Sequence, residues 1–353
     1  MTLITKDNSR KYISYFLPEY RVYPEYDATP FTAGNSYCRL YLVEMYLGRI
    51  LFDKRYPVVH AKIEYERGGK KTVVPYLAKP DYMQELSQKN LDRVIQYNYP
   101  LTELFPFNGG LVTLDARLLS MEASDVIKQF IKIIGRFSDL LVVPELSSVI
   151  KLAQPLYEGI EELTGSGYAN LELGYRQSFE EVGNGGANSL KPGYFVAILA
   201  EEKDINYEQL CIVNDSLRLG SPGKGTAFIK DSKPVEKYSY MLFRLGKSKQ
   251  QRWEKLPKIN GLFQKAKKIT AQRDYEYLKR YLLPTIEEEI WLSEDIAEGD
   301  RQNMIIRIKD YLKKMGLQSY NNQDISLSTL MERPLPEMDT ETEADLKALK
   351  DIW

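Results

Sequence analysis

The chain has 353 residues, 43% hydrophobic and 27% charged, and its 48 Lys and Arg almost balance its 49 Asp and Glu. That is ordinary for a soluble globular protein, long enough for two domains or for one large domain with extensions. No apolar run follows a basic region near the amino terminus, and no segment has the roughly 20 apolar residues of a membrane helix, so neither a signal peptide nor a membrane span is expected.

Cys38 and Cys211 give no disulfide framework, so the expectation is a reduced, cytoplasmic protein with both thiols buried. The 26 tyrosines favour strands and half-wet surfaces, which supports a β-rich body. Residues 1–36, with Pro18, Pro24 and Pro30, read as an irregular lead-in with one short strand around Tyr12 to Leu17. Tyr37 to Leu51 is an apolar-rich run fit for a buried strand, and its length leaves a helix open. Val59, Ala61, Ile63 and Tyr65 alternate with His60, Lys62, Glu64 and Glu66, the pattern of a strand with one face in water. Gly68-Gly69 and the return of Thr72 to Leu77 complete a hairpin, and Pro75 marks the returning strand as an edge.

Arg93 to Tyr99 reads as a strand, Asn108-Gly109-Gly110 as a turn, and Val112 to Leu118 as a further strand. Between Ser124 and Gly165 two amphipathic helical segments meet at Val143-Pro144. The first carries Val126, Phe130, Ile133, Ile134, Phe137 and Leu141 on one stripe. This inserted hairpin either covers the sheet or acts as a conditional membrane- or partner-binding element. Strands follow at Asn170 to Tyr175, Tyr194 to Ala200, Gln209 to Val213, Leu217 to Leu219 and Tyr238 to Leu245. Short strands with frequent turns and no βαβ alternation predict an α+β chain whose body, 37–246, is an antiparallel sandwich or partly closed barrel.

From Lys247 to Gly316 the pattern is helical, with segments at Asn260 to Lys268, Ala271 to Leu283, Thr285 to Leu292 and Arg301 to Met315, broken at Pro284. Residues 317–353 read as a mobile acidic tail ending in a short amphipathic stretch, Leu346 to Trp353. Charge is strongly segregated here. Between Arg244 and Leu283 stand twelve Lys or Arg and three acids, a net of +9 (12 − 3) in a chain of formal charge −1. The acids follow, in Glu287 to Asp300 and Glu332 to Asp351.

Three readings of that layout stay open: basic and acidic helices that neutralise one another, a docking surface for an acidic protein with the tail as internal competitor, and contact with phosphates of nucleic acid or anionic lipid. The candidate partner-binding residues are Lys247, Lys249, Arg252, Trp253, Lys255, Lys265, Lys267, Lys268, Arg273, Lys279 and Arg280. The near-neutral total charge weighs against nucleic acid.

Catalytic patterns are few. His60 is the single histidine, so a Ser-His-Asp or Cys-His arrangement, or a zinc site, would have to use it. Gly220-Ser221-Pro222-Gly223-Lys224-Gly225-Thr226 has the wrong spacing for a phosphate loop and runs into a β-like Ala227 to Lys230. Asp115, Asp204 and Asp215 are isolated, without a calcium-loop pattern. Neither a cofactor nor a metal is indicated. Carboxylates such as Glu161-Glu162 or Glu287 to Glu289 leave open a hydrolase assembled by the fold.

The stretches GGLVTLDARLLSM (Gly109 to Met121), PLYEGIEELTGSGYANLELGYRQSF (Pro155 to Phe179) and LKPGYFVAI (Leu190 to Ile198) resemble segments of uncharacterised bacterial β-sandwich proteins encoded in conflict or defence loci. The likeness spans roughly residues 36–260 and carries no catalytic motif. It implies a non-catalytic adaptor or a regulated effector. The expected function is therefore that of an interaction or regulatory protein that binds an acidic partner through its basic helices. The alternatives are a membrane-acting effector released by a trigger such as tail proteolysis, and a carboxylate-based hydrolase.

Overall fold

The structure, a computed structural model, describes residues 12–48, 55–67, 70–78, 95–122, 165, 167, 169–180, 190–272 and 274–315. The hairpin expected at 124–165, apart from Gly165, and the tail at 317–353 lie outside the described residues.

The chain is α+β, with antiparallel sheets and a helical carboxy-terminal region. Its centre is a sheet in the order β1 (Ile13–Phe16), β10 (Gly193–Ile198), β14 (Tyr240–Ser248), β3 (Ser36–Tyr46), β6 (Ile95–Pro100), with β7 (Phe105–Phe107) also paired to β3. On one face lies a second sheet, β5 (Lys70–Ala78), β4 (Arg55–Arg67), β8 (Val112–Glu122), β9 (Ala169–Phe179). On the other lies a small one, β13 (Lys233–Pro234), β12 (Ser216–Leu219), β11 (Leu210–Val213), β2 (Val22–Tyr23). The expected two-layer sandwich is thus extended to three layers, and β2 pairs parallel with β11.

Burial on both faces explains the sequence of the central strands. Leu40, Leu42, Phe195, Ala197, Met241 and Phe243 pack toward the second sheet. Val43, Tyr46, Val196, Ile198, Tyr240 and Leu242 pack toward the small one. A strand covered on two sides is apolar at most positions, so Tyr37 to Tyr46 is apolar but for Arg39 and Glu44, and it forms a strand rather than a helix.

The register of β3 against β14 skips Val43. That bulge turns Glu44 toward the small sheet, where its buried carboxylate accepts from Leu217 N (2.8 Å) and Ser216 Oγ (3.0 Å). Burial pushes the Glu44 pKa up, partly offset by those bonds.

Arg21 anchors the small sheet from within. Its buried guanidinium donates to the carbonyls of Leu210 (3.1 Å), Gln209 (3.0 Å), Ser221 (2.7 Å) and Gly223 (3.2 Å) and lies 4.7 Å from the Phe228 ring centroid. A phosphate-binding loop would turn N–H groups inward. This one turns its carbonyls onto Arg21, and a short helix, α1 (Phe228–Asp231), follows where the sequence read β-like.

Other expectations need correction. His60 faces away from the Val59, Ala61 and Ile63 side of β4 but is buried, not solvated. Period-two alternation shows which residues share a face, not what lies over it. Proline at 75 does sit on an edge strand of the second sheet, opposite Lys62.

The carboxy-terminal helices are α2 (Pro257–Gln272), α3 (Leu283–Leu292) and α4 (Glu298–Lys314). A single turn, Tyr275–Tyr277, and a π turn, Leu278–Leu282, lead straight into α3. Pro284 therefore does not break the run. The wider i→i+5 turn before it gives the proline ring room and removes the need for its missing N–H. Ile259, Phe263, Leu278, Ile286, Ile290, Met304 and Ile308 form a core separate from those of the sheets.

Candidate functional site

The helical extension is fastened to the β body by a buried polar joint. Asp300, 2% exposed in the first turn of α4, accepts from Tyr37 Oη (2.9 Å) and Gln251 N (2.8 Å) on one oxygen. Its other oxygen accepts from Arg307 Nη2 (2.9 Å). Tyr37 Oη in turn accepts from Ala297 N (3.0 Å), and Gly299 N donates to Gly34 O (2.9 Å). Burial and the neighbouring Asp300 carboxylate push the Tyr37 hydroxyl far above its usual pKa. A charge buried and satisfied on every side fixes orientation more than it adds stability.

Beside this joint Trp253, Phe263 and Tyr311 pack edge to face, with centroids 5.5 Å (Trp253–Phe263) and 5.2 Å (Phe263–Tyr311) apart. Arg307 lies 5.8 Å from the Trp253 ring and Lys267 lies 5.9 Å from that of Tyr311. Both distances suit cation–π attraction.

The expected basic residues divide around this cluster. Lys247 is half-buried and donates to Thr29 O, Thr29 Oγ1 and Pro30 O, so it ties down the amino-terminal segment. Arg252 lies 3.6 Å from Glu254, and Arg280 lies 2.8 Å from Glu276. Lys267 and Trp253 belong to the aromatic cluster, while Lys249, Lys255, Lys265, Lys268 and Lys279 are exposed. Arg273 lies outside the described residues. Acids of α3 reach back: Glu289 lies 3.7 Å from Lys258 of α2, and Glu287 pairs with Lys309 of α4. Part of the basic charge is therefore neutralised within the extension. The exposed basic side chains lie mostly on the Lys249–Lys255 segment and along α2.

Sequence reasoning missed Lys258 and Gly261 as parts of the surface, and Phe263, Tyr311, Arg307 and Asp300 as its support. A helical wheel of residues 257–272 places Lys258, Gly261, Lys265 and Lys268 on one arc. The buried line Ile259, Phe263, Ala266 and Thr270, which shows that this arc faces water, is a tertiary fact.

Groups suited to covalent chemistry are sequestered. Burial, with a smaller contribution from Arg117, pushes the His60 pKa down to about 3. Burial raises the Cys211 thiol to about 11 and the Cys38 thiol further. Among the described residues no three His, Cys, Asp or Glu side chains are grouped to hold a metal ion, and no helix is long and apolar enough to cross a membrane. A cleft of about 520 Å³ lined by Gly48, Glu172, Leu199, Glu236, Lys237, Tyr238 and Ser239 brings two acids to its wall. Glu172 there accepts from Ser120 Oγ (2.6 Å).

No family model matches the chain, and neither a curated protein nor a solved structure matches it.

Proposed function

We propose that this protein is a cytoplasmic, non-enzymatic adaptor or regulatory protein that binds an acidic protein partner through its helical extension, in a bacterial defence setting of the kind its sequence resemblance implies. The observation that carries this reading is the build of the extension. Helices with a core of their own are locked to the β body at Asp300, the half-buried Trp253 and the exposed Tyr311 pack on the buried Phe263 with Lys267 and Arg307 over their rings, and Lys249, Lys255 and Lys268 are exposed elsewhere on the extension. Partly exposed aromatic side chains with cations beside them on a preorganised support suit a protein interface. Such an arrangement uses charge to steer association and aromatic area to hold it.

The test is capture from an extract of the native host with the full chain and with Lys249→Glu/Lys255→Glu/Lys268→Glu, each at low and high salt. One discrete partner, lost in the variant and at high salt, is the expected result. A partner retained equally by both proteins would overturn the reading. So would loss of all protein capture together with sedimentation on anionic vesicles.

A further inference from the structure

Helix α3 and the π turn that leads into it are apolar on two sides. One line, Leu278, Leu282, Leu283, Ile286 and Ile290, is buried in the core of the extension. The other faces water: Tyr281, Pro284, Trp291 and Leu292 are exposed, at three- and four-residue spacing through the exposed Glu288. Leu292, 67% exposed, is more open than any other large apolar side chain among the described residues, and Trp291 is 48% exposed. A helix apolar on two sides is ordinarily covered on both. Tryptophan and arginine are the residues that anchor contacts, and Arg301 lies 5.7 Å from the Trp291 ring.

We infer that this stripe is the seat of a segment of the same chain, Leu346 to Trp353, with its apolar face on Trp291 and Leu292 and Lys350 on Glu288. This goes beyond the adaptor reading and does not depend on it. The segment is apolar at Leu346, Leu349, Ile352 and Trp353, one face of a helix, and Lys350 stands at the margin of that face.

The body delivers the chain to the right place. Arg301 lies against Trp291 and Lys309 pairs with Glu287, so α4 runs antiparallel to α3 and its last turn comes to the Tyr281 end of the stripe. From Tyr281 to Leu292 the stripe is about 16 Å long at 1.5 Å per residue. Even as a random coil, the 30 residues 316–345 would reach about 30 Å, enough to bring the segment onto it. Tethering raises the local concentration, so a contact too small to join two separate proteins suffices.

Charge weighs against other occupants. A second copy packed two-fold on the stripe would bring the two Glu288 carboxylates together, and an anionic membrane would meet Glu288 and the exposed Glu294. Lys350 turns the same charge into an attraction.

Amide exchange of the full chain reads the docking. A helix of eight residues is unstable alone, so Leu346 to Trp353 exchanges unprotected unless it is seated. Wild type is expected to slow these amides about tenfold, independently of protein concentration. Leu292→Asp, at a position open to water and so tolerated by the fold, and Leu349→Asp are each expected to abolish the protection. Lys350→Glu should weaken it, and Lys350→Glu/Glu288→Lys should restore it. Unprotected amides in wild type overturn the inference, as does protection that survives Leu292→Asp. Protection that falls on dilution assigns the stripe to a second copy and overturns the contact within one chain.

Discussion

The central sheet and the helical extension both bury an apolar stripe, but the sheet is covered on two faces while each long helix of the extension keeps one face in water. The difference decides where each can change. In the two cores of the β body the side chains are packed, so a buried charge there is held by hydrogen bonds, as Glu44 is in β3 and Arg21 is beside the small sheet. In the extension the outer faces of α2 and α4 carry no packing duty, so charge can be rearranged there at little cost to the fold.

The sharpest way to break the comparison is at Arg21. Arg21→Ala is expected to destabilise the protein by about 3–5 kcal/mol, because buried carbonyls from two segments lose a charged donor. Arg21→Lys should recover only a minor part, since an ammonium cannot span four acceptors. Urea denaturation midpoints check both. An unchanged midpoint in Arg21→Ala would mean that the small sheet does not depend on its anchor.

Asp300→Ala comes next, at about 2–4 kcal/mol, for it leaves Tyr37 Oη and Gln251 N without their acceptor and removes the ion pair with Arg307, which keeps only backbone carbonyls. Its signature is local. Amide exchange should accelerate through residues 251–315 and stay slow in β3, β10 and β14. Uniform acceleration would show that sheet and extension open as one unit.

Acid should weaken the β body through His60. Its folded pKa lies below its unfolded value, so the unfolded chain binds the extra proton. Stability is complete above about pH 6.5 and falls as pH drops toward about 3. The loss is about 1.4 kcal/mol per pH unit, or about 2 kcal/mol by pH 5. Glu44, with its raised pKa, contributes in the opposite sense, gaining stability as pH falls. Comparing melting temperatures of wild type and His60→Gln between pH 7 and pH 5 isolates the histidine. Parallel curves would count against it.

The smallest effect is a gain. Gly261→Ala should stabilise the protein by about 0.5–1 kcal/mol, read as a rise in melting temperature, because helix propensity improves and no neighbour is displaced. A loss would reveal a packing role for that glycine.

What the sequence made legible follows from what each pattern encodes. Apolar-rich runs at Tyr37 to Tyr46, broken only by Arg39 and Glu44, and at Tyr194 to Ile198 announced buried strands, because two-sided burial acts on most residues. The lysines of α2 were visible as a cluster, and Trp253 stood out among them. The joint at Asp300 was not legible, since Tyr37 and Asp300 are 263 positions apart and nothing local marks either as a partner. His60 was misplaced for the same reason: alternation assigns a face, and only the fold decides whether that face is covered.

The order of the central sheet also bears on how the chain comes off the ribosome. β3 and β1 are made early, yet the neighbours that complete the sheet, β10 and β14, end only at Ile198 and Ser248. At about 5–20 residues per second, the apolar run of β3 waits roughly 10–40 s for β14. The helical extension draws on contacts close in sequence and can form as soon as it emerges. Nascent chains stalled before Tyr240 should be digested by protease, whereas those stalled well past Ser248 should be protected. The interval between them is the window in which the newborn protein most needs a chaperone.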